Sequence, residues 1–585
     1  MTSLASGLAL RPRLISPATR GTRHVLAGQQ LRHASFSGPP RRSKGRLFGL
    51  LAVGIASGAG VYAYQYISNQ EAAAKPQQAR IEFEKPRKQP VSREDNRDLI
   101  SPQHLQVKRS WENPGVYAWG SNAGKVVAPD SNEPVIKTPR RISHFDGQLL
   151  RDLKLDHNFG AAVTESGDLV QWGAGFSKTN TSPVVTLKGK DLVKLSLSKD
   201  RIIALSSGGS VYSIPVSSAD QASGEKQLNS SWVPFWSSPS AISYRNLKPA
   251  NLAWGEKVVD ISSGLEHCLL LTSKGRVFSA ASSTDGFPEK GQLGISGLTW
   301  ATRPKEGPYD QPHEISTLGG VAKIATGDFH SLVLDKVGRV FSFGDNSAGQ
   351  LGFEPEPESP YVDSPLPLPV SNLYSGTGFV PRVTSVAAGG LNSYFTVDAV
   401  KESGRGLREP SSVVADAWAC GEGLHGSLGT GKWTHISSEP TKIKALSNLS
   451  EFDEKSNKVV PIELSRFSVG STHASAVLGN ATSTAASRQS SDNDTNWGLD
   501  VLWWGGNERY QLGTGKRNNI NTPTYIGPLD GDGGDAQKGT KGDVHRFQIA
   551  PRTTARLGEG GKGRKATVEQ RVECGRYATA VYSAT

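Results

Sequence analysis

One pattern recurs along this chain and limits its fold more than any other feature. It is clearest at residues 321–352, VAKIATGDFHSLVLDKVGRVFSFGDNSAGQLG. Two short apolar runs, 331–334 and 339–343, are joined by a turn ending in Gly338. Runs this short, bounded by Gly, Asp and Asn, read as strands of a hairpin. Alignment on Gly327 finds equivalent positions at His157, Ser198, Gly264, Gly389, Gly470 and Gly575, seven units in all. Three residues on stand His267, His330 and His473, replaced elsewhere by Gly160, Arg201, Asn392 or Ala578. The second half of a unit ends in an aromatic-Gly step at Trp119-Gly120, Trp172-Gly173, Phe343-Gly344 and Trp504-Gly505. It becomes Cys420-Gly421 in one unit and is lost at Ile214-Pro215 and Ala280-Ala281. A Gly-Gln-Leu-Gly-like tail follows at 291–294, 349–352 and 511–513, with a weaker version at 427–429.

Each unit supplies a few antiparallel strands, and one such sheet cannot bury both of its faces alone. Units must therefore stack, with the aromatic filling the space between them. Radial stacking leaves only short, protected edges. The first unit, 115–124, holds only the aromatic-Gly half, and the last, 572–582, only the first half. The two add up to one blade, so the C-terminal strands are expected to pair with the N-terminal strand. The segments GDFHSLVL, GRVFSFG and NSAGQLG resemble the repeat of the regulator of chromosome condensation family. That resemblance implies an all-β fold, a seven-bladed β-propeller over residues 114–585.

Charge narrows the function classes. The chain carries 66 Lys+Arg against 54 Asp+Glu. The excess is local: residues 1–70 hold nine basic residues and no acid, and residues 71–112 hold nine basic and seven acidic. From 113 onward 48 basic residues face 47 acidic ones, so the ring lacks the overall basic footprint of a DNA-binding domain and no DNA partner is expected. Cys268, Cys420 and Cys574 are scattered and lie at apolar repeat positions, which argues against a disulfide framework or a CxxC metal site.

Residues 1–46 are Arg-, Ser- and Ala-rich without an acid, the composition of a mitochondrial transit peptide, with Arg32-His33-Ala34-Ser35 as a processing region. Residues 47–67, LFGLLAVGIASGAGVYAYQYI, are long and apolar enough for a single transmembrane helix, with Tyr62, Tyr64 and Tyr66 at one end. Gly54 and Gly58 form a GxxxG that could pack against another membrane helix. Residues 68–113 read as a polar linker. Transit peptide plus span predicts a single-pass protein of the mitochondrial inner membrane. Arg41, Arg42, Lys44 and Arg46 before the span put the ring in the intermembrane space. Mitochondrial relatives in the resembled family work in the matrix, and the side stays open.

Long inserts interrupt the units. Residues 215–256 carry Trp232, Phe235 and Trp236, the expected partner contact, because binding residues concentrate on loops held by a rigid scaffold. Asp530, Asp532 and Asp535 lack the Glu that closes a calcium loop. A histidine recurring at one repeat position serves the repeat, each expected to bond backbone groups in its turn. No Ser-His-Asp set, Walker loop or HExxH motif is visible, and no catalytic residue, cofactor or metal is expected. The reading is a non-enzymatic, membrane-anchored scaffold whose partners are inner-membrane complexes or their assembly intermediates. The resemblance implies respiratory-complex assembly, notably complex III. The alternatives are a ribosome- or RNA-related factor, or guanine-nucleotide exchange on a small GTPase.

Overall fold

The computed structural model describes residues 102–229, 238–401, 412–453, 457–480, 483–484, 495–529 and 546–585. The unit read most clearly from sequence shows how a blade is built. Val321–Thr326 is the inner strand, followed by His330–Asp335, Val340–Asp345 and Tyr361–Pro367, each antiparallel to the one before. His330–Asp335 is buried along its whole length, as a strand covered on both faces must be. The outermost strand buries none of its residues fully and carries Pro365 and Pro367, residues a sheet tolerates at its edge. In the turn between the second and third strands Asp335 Oδ1 accepts from the backbone N–H of Val337 and Arg339 at 3.0 and 2.8 Å. Gly338 there has φ 96°, a conformation open to glycine.

Five blades stand as separate sheets. They begin with the inner strands Leu192–Leu197, Val258–Ser263, Val321–Thr326, Phe379–Gly389 and Leu464–Val469. The seven separate blades expected from the repeats are not what the pairing shows. The strands of the first, second and last units merge into one nine-stranded sheet. In it Val116–Ser121 pairs antiparallel with Ala578–Ala584, which in turn pairs with Lys565–Cys574. Ala584 then bridges in parallel to Leu150, and the Thr585 N–H donates to the Leu150 carbonyl at 3.0 Å. The chain's last strand thus satisfies backbone groups on both sides, and the pattern is five blades plus a merged sheet.

The aromatics of the aromatic-Gly steps lie in the core between neighbouring sheets. Trp119, Trp172, Phe343 and Trp504 are fully buried. Trp119 stacks edge-on against Trp503 at 5.6 Å and donates its indole N–H to the Gln511 carbonyl at 2.8 Å. A Cβ on Gly513, the last residue of that tail, would sit 2.8 Å from the Trp119 indole nitrogen, and its φ is 69°. The tail therefore ends in glycine because the next sheet's tryptophan occupies the space.

Residues expected in the polar linker form the helix Pro102–Glu112, whose Val107 is buried and whose Gln106 donates to the Gln548 carbonyl at 2.6 Å. Residues 1–101, which include the expected transit peptide and the expected span at 47–67, lie outside the described residues. The fold class as expected is corrected here too: among the described residues no helix is long and apolar enough to cross a membrane.

Candidate functional site

Each repeated histidine reaches across to the next repeat unit. The Nε2 atoms of His267, His330 and His473 meet Ser331 Oγ, Ser393 Oγ and Thr579 Oγ1 at 2.9, 2.9 and 2.7 Å. Ser393 and Thr579 in turn donate to the carbonyls of Gln350 and Gln511 at 2.6 Å, and Ser331 to that of Gln292 at 3.4 Å. A hydroxyl that donates to a carbonyl must accept from the ring, so Nε2 carries the proton. Burial holds all three imidazoles far below the usual value, at about 3 for His267, 4 for His330 and 3 for His473, so they are neutral joints. The backbone bonds expected within each turn are replaced by side-chain bonds across the joint.

The inner strands of all seven units end around one cavity of about 210 Å³, the channel mouth of the ring, lined by residues 154–156, 196–198, 262–265, 326–328, 388–390, 469–471 and 573–576. Backbone bonds run from unit to unit around this rim. Lys199 N–H donates to Leu265, Leu265 to Asp328 and Asp328 to Gly390, at 3.0, 2.9 and 2.8 Å. Ser471 donates to Gly575, and Arg576 to Leu155, both at 3.3 Å. Glycine recurs here because neighbouring backbone is so close: a Cβ on Gly264 would lie 2.4 Å from the Gly327 carbonyl oxygen. Across the mouth, the Arg576 guanidinium bonds Asp328 at 2.7 Å and Asp156 at 3.3 Å. Burial works to lower the Arg576 pKa, but Asp328 and Asp156 outweigh it and hold it above its ordinary value. Lys154 pairs with Glu573 at 2.8 Å, and despite its burial the acids around it keep it charged.

The charges of the mouth are thus committed to one another. The thiols are inert: burial pushes Cys268, Cys420 and Cys574 up to about 12. Among the described residues no group of three His, Cys, Asp or Glu is placed to hold a metal ion.

The expected partner contacts Trp232, Phe235 and Trp236 lie outside the described residues, as do Gly54, Gly58, Asp530, Asp532 and Asp535. The chain leaves and re-enters the described part on either side of the three aromatics through a short pairing of Leu228–Asn229 with Ser238–Pro239. Arg576 went unread in the sequence, although it alone follows an aligned repeat position with an arginine. Trp254, almost wholly exposed, also went unread; its signal was a tryptophan in an Asn- and Gly-containing turn just before an inner strand.

Residues 321–350 and 337–395 match the Regulator of chromosome condensation (RCC1) repeat. Over 457 residues the chain is 27% identical to "Protein FMP25, mitochondrial" of Saccharomyces cerevisiae, covering 73% of this chain and 69% of that one. It is 26% identical over 326 residues to the guanine nucleotide exchange factor SRM1 of the same yeast, covering 51% of this chain and 58% of the other. Among solved structures, Prp20p of Saccharomyces cerevisiae is similar with a TM-score of 0.50 at 18% identity, covering 81% of this chain and 92% of that one, a likeness of fold. Residues 321–395 thus carry matched RCC1 repeats, and along most of its length the chain is similar to a mitochondrial protein of yeast.

Proposed function

We propose that this protein is a non-enzymatic contact scaffold acting at the mitochondrial inner membrane in respiratory-complex assembly, with complex III as the client. The observation that carries the reading is the state of the channel mouth. Its arginine, lysine and three acids are paired with each other, and burial keeps its one thiol, Cys574, protonated. A ring of that kind offers surfaces rather than a reaction. The mitochondrial relative and the Arg-rich, acid-free start support the compartment.

A second reading, nucleotide exchange on a small GTPase, is favoured by the similarity to SRM1. Two assays on the full chain separate them. Affinity capture from crosslinked mitochondria should recover complex III subunits or their assembly intermediates. Release of labelled GDP from mitochondrial GTPases should be unchanged by the protein. Accelerated release without enrichment of complex III subunits would promote the exchange reading and sink the scaffold.

A further inference from the structure

The face of the ring opposite the channel mouth carries the turns between second and third strands and the loops that precede the inner strands. Here lies the most exposed large apolar side chain among the described residues. Trp254 is 99% exposed at the tip of a tight turn. The turn is rigidly held: Glu256 N–H donates to the Ala253 carbonyl, and Glu256 Oε2 accepts from the Ala253 N–H, both at 2.9 Å. Glu256 is itself buried and fixed by Arg276 at 3.0 Å and Thr272 at 2.5 Å. A second apolar tip, Val337, is 72% exposed in the turn of another blade.

The two tips are linked by an arc of cations. Ser273 N–H donates to the Lys257 carbonyl, placing Lys274 beside Lys257. Val321 N–H donates to Gly275 and Lys336 N–H to Gly320, which joins that turn to the next. The Arg382 guanidinium then donates to the Lys336 carbonyl at 3.3 Å. Lys257, Lys274, Lys336 and Arg382 are exposed, and none makes an ion pair among the described residues. The acids of these turns are already occupied, Glu256 and Glu314 by Arg276 and Asp335 by Arg339 at 2.7 Å, while Asp398 faces Arg382 from the neighbouring strand. The near-neutral ring therefore conceals a locally basic face with two apolar tips.

We propose that this face docks on an anionic phospholipid bilayer, with Trp254 and Val337 entering the headgroup region and the four cations meeting lipid phosphates. Tryptophan favours that interface because its ring is apolar and its N–H polar, and lysines near an anionic surface each add attraction. Val337 decides between anionic partners. A branched aliphatic at a turn tip offers no face on which a nucleobase could stack, whereas it gains free energy on leaving water for lipid. The inference stands apart from the scaffold reading, since a membrane-docked ring could serve any client.

The test uses the full chain carrying Val337→Cys, labelled with a polarity-sensitive fluorophore; the three native cysteines are buried. The protein is reconstituted into vesicles of phosphatidylcholine alone or of phosphatidylcholine and phosphatidylserine in equal parts. The label should shift to the blue and brighten several-fold only with phosphatidylserine. The shift should be lost at high salt, with Lys274→Glu/Lys336→Glu, and with Trp254→Ser. The milder Lys274→Gln/Lys336→Gln should reduce it, and each variant should melt like the parent. A label at Trp433→Cys, an exposed tryptophan on the channel-mouth side, should stay in water throughout. No shift on anionic vesicles would overturn the proposal. So would an equal shift with soluble polyglutamate or oligouridylate, which would assign the face to an acidic protein or to RNA.

Discussion

His330 shows what one repeated residue contributes. It is fully buried, neutral, and bonded to a hydroxyl on the next blade. Burial lowers its pKa to about 4 and those of His267 and His473 to about 3, whereas the unfolded chain takes up protons near 6.5. The unfolded state therefore binds more protons below that value. The histidines' contribution is fully present above pH 6.5 and is lost as pH falls through about 4. Melting temperature measured across that window should fall steadily, and His330→Asn should make the fall shallower; a flat profile would contradict the joint. Trp504, fully buried with its indole N–H on the Ser427 carbonyl at 2.7 Å, should cost about 3–5 kcal/mol when changed to Ala, read by chemical denaturation. At this scale the sequence was half legible. Recurrence marked the histidines as structural, but their acceptors lie 63 to 106 residues away, beyond any local pattern.

Elements carry the closure. Ala578–Ala584 lies between Lys565–Cys574 and Val116–Ser121 and bridges to Leu150 beyond them. Deleting residues 570–585 should leave Val116–Ser121 with an open edge and replace a sharp thermal transition by a broad, low one; an equally sharp and high melt would refute that. Arg576, reaching Asp328 from 248 residues away, should couple to it. A double-mutant cycle with Arg576→Met and Asp328→Asn should return about 1–3 kcal/mol, and a value near zero would show that the strut does not hold. The half-units at the two ends were readable because each lacked what the other had. The merging of strands into one nine-stranded sheet was not, because repeats mark where units lie and say nothing of how edges join. The helix at Pro102–Glu112 was likewise hidden: its polar sequence reads as linker, and what ties it to the ring, buried Val107, the Gln106 bond and Trp111 packed beside Leu557 and Val568, is made with residues far along the chain.

For the whole molecule, the repeats marked an all-β stack of short sheets, and the matched RCC1 repeats agree with that, but the seven blades they implied are corrected to five blades plus one merged sheet. The surface was far less legible. Forty-eight basic and 47 acidic residues cancel in composition, yet pairing of the acids with arginines leaves the lysines of one face exposed. The central claim is that the ring acts by contact on a membrane complex. The most direct measurement is rapid depletion of the protein followed by native-gel analysis of pulse-labelled inner-membrane complexes. The account predicts that newly made complex III subunits fail to enter the mature complex while pre-existing complex persists. Normal assembly of the labelled subunits after complete depletion would contradict it.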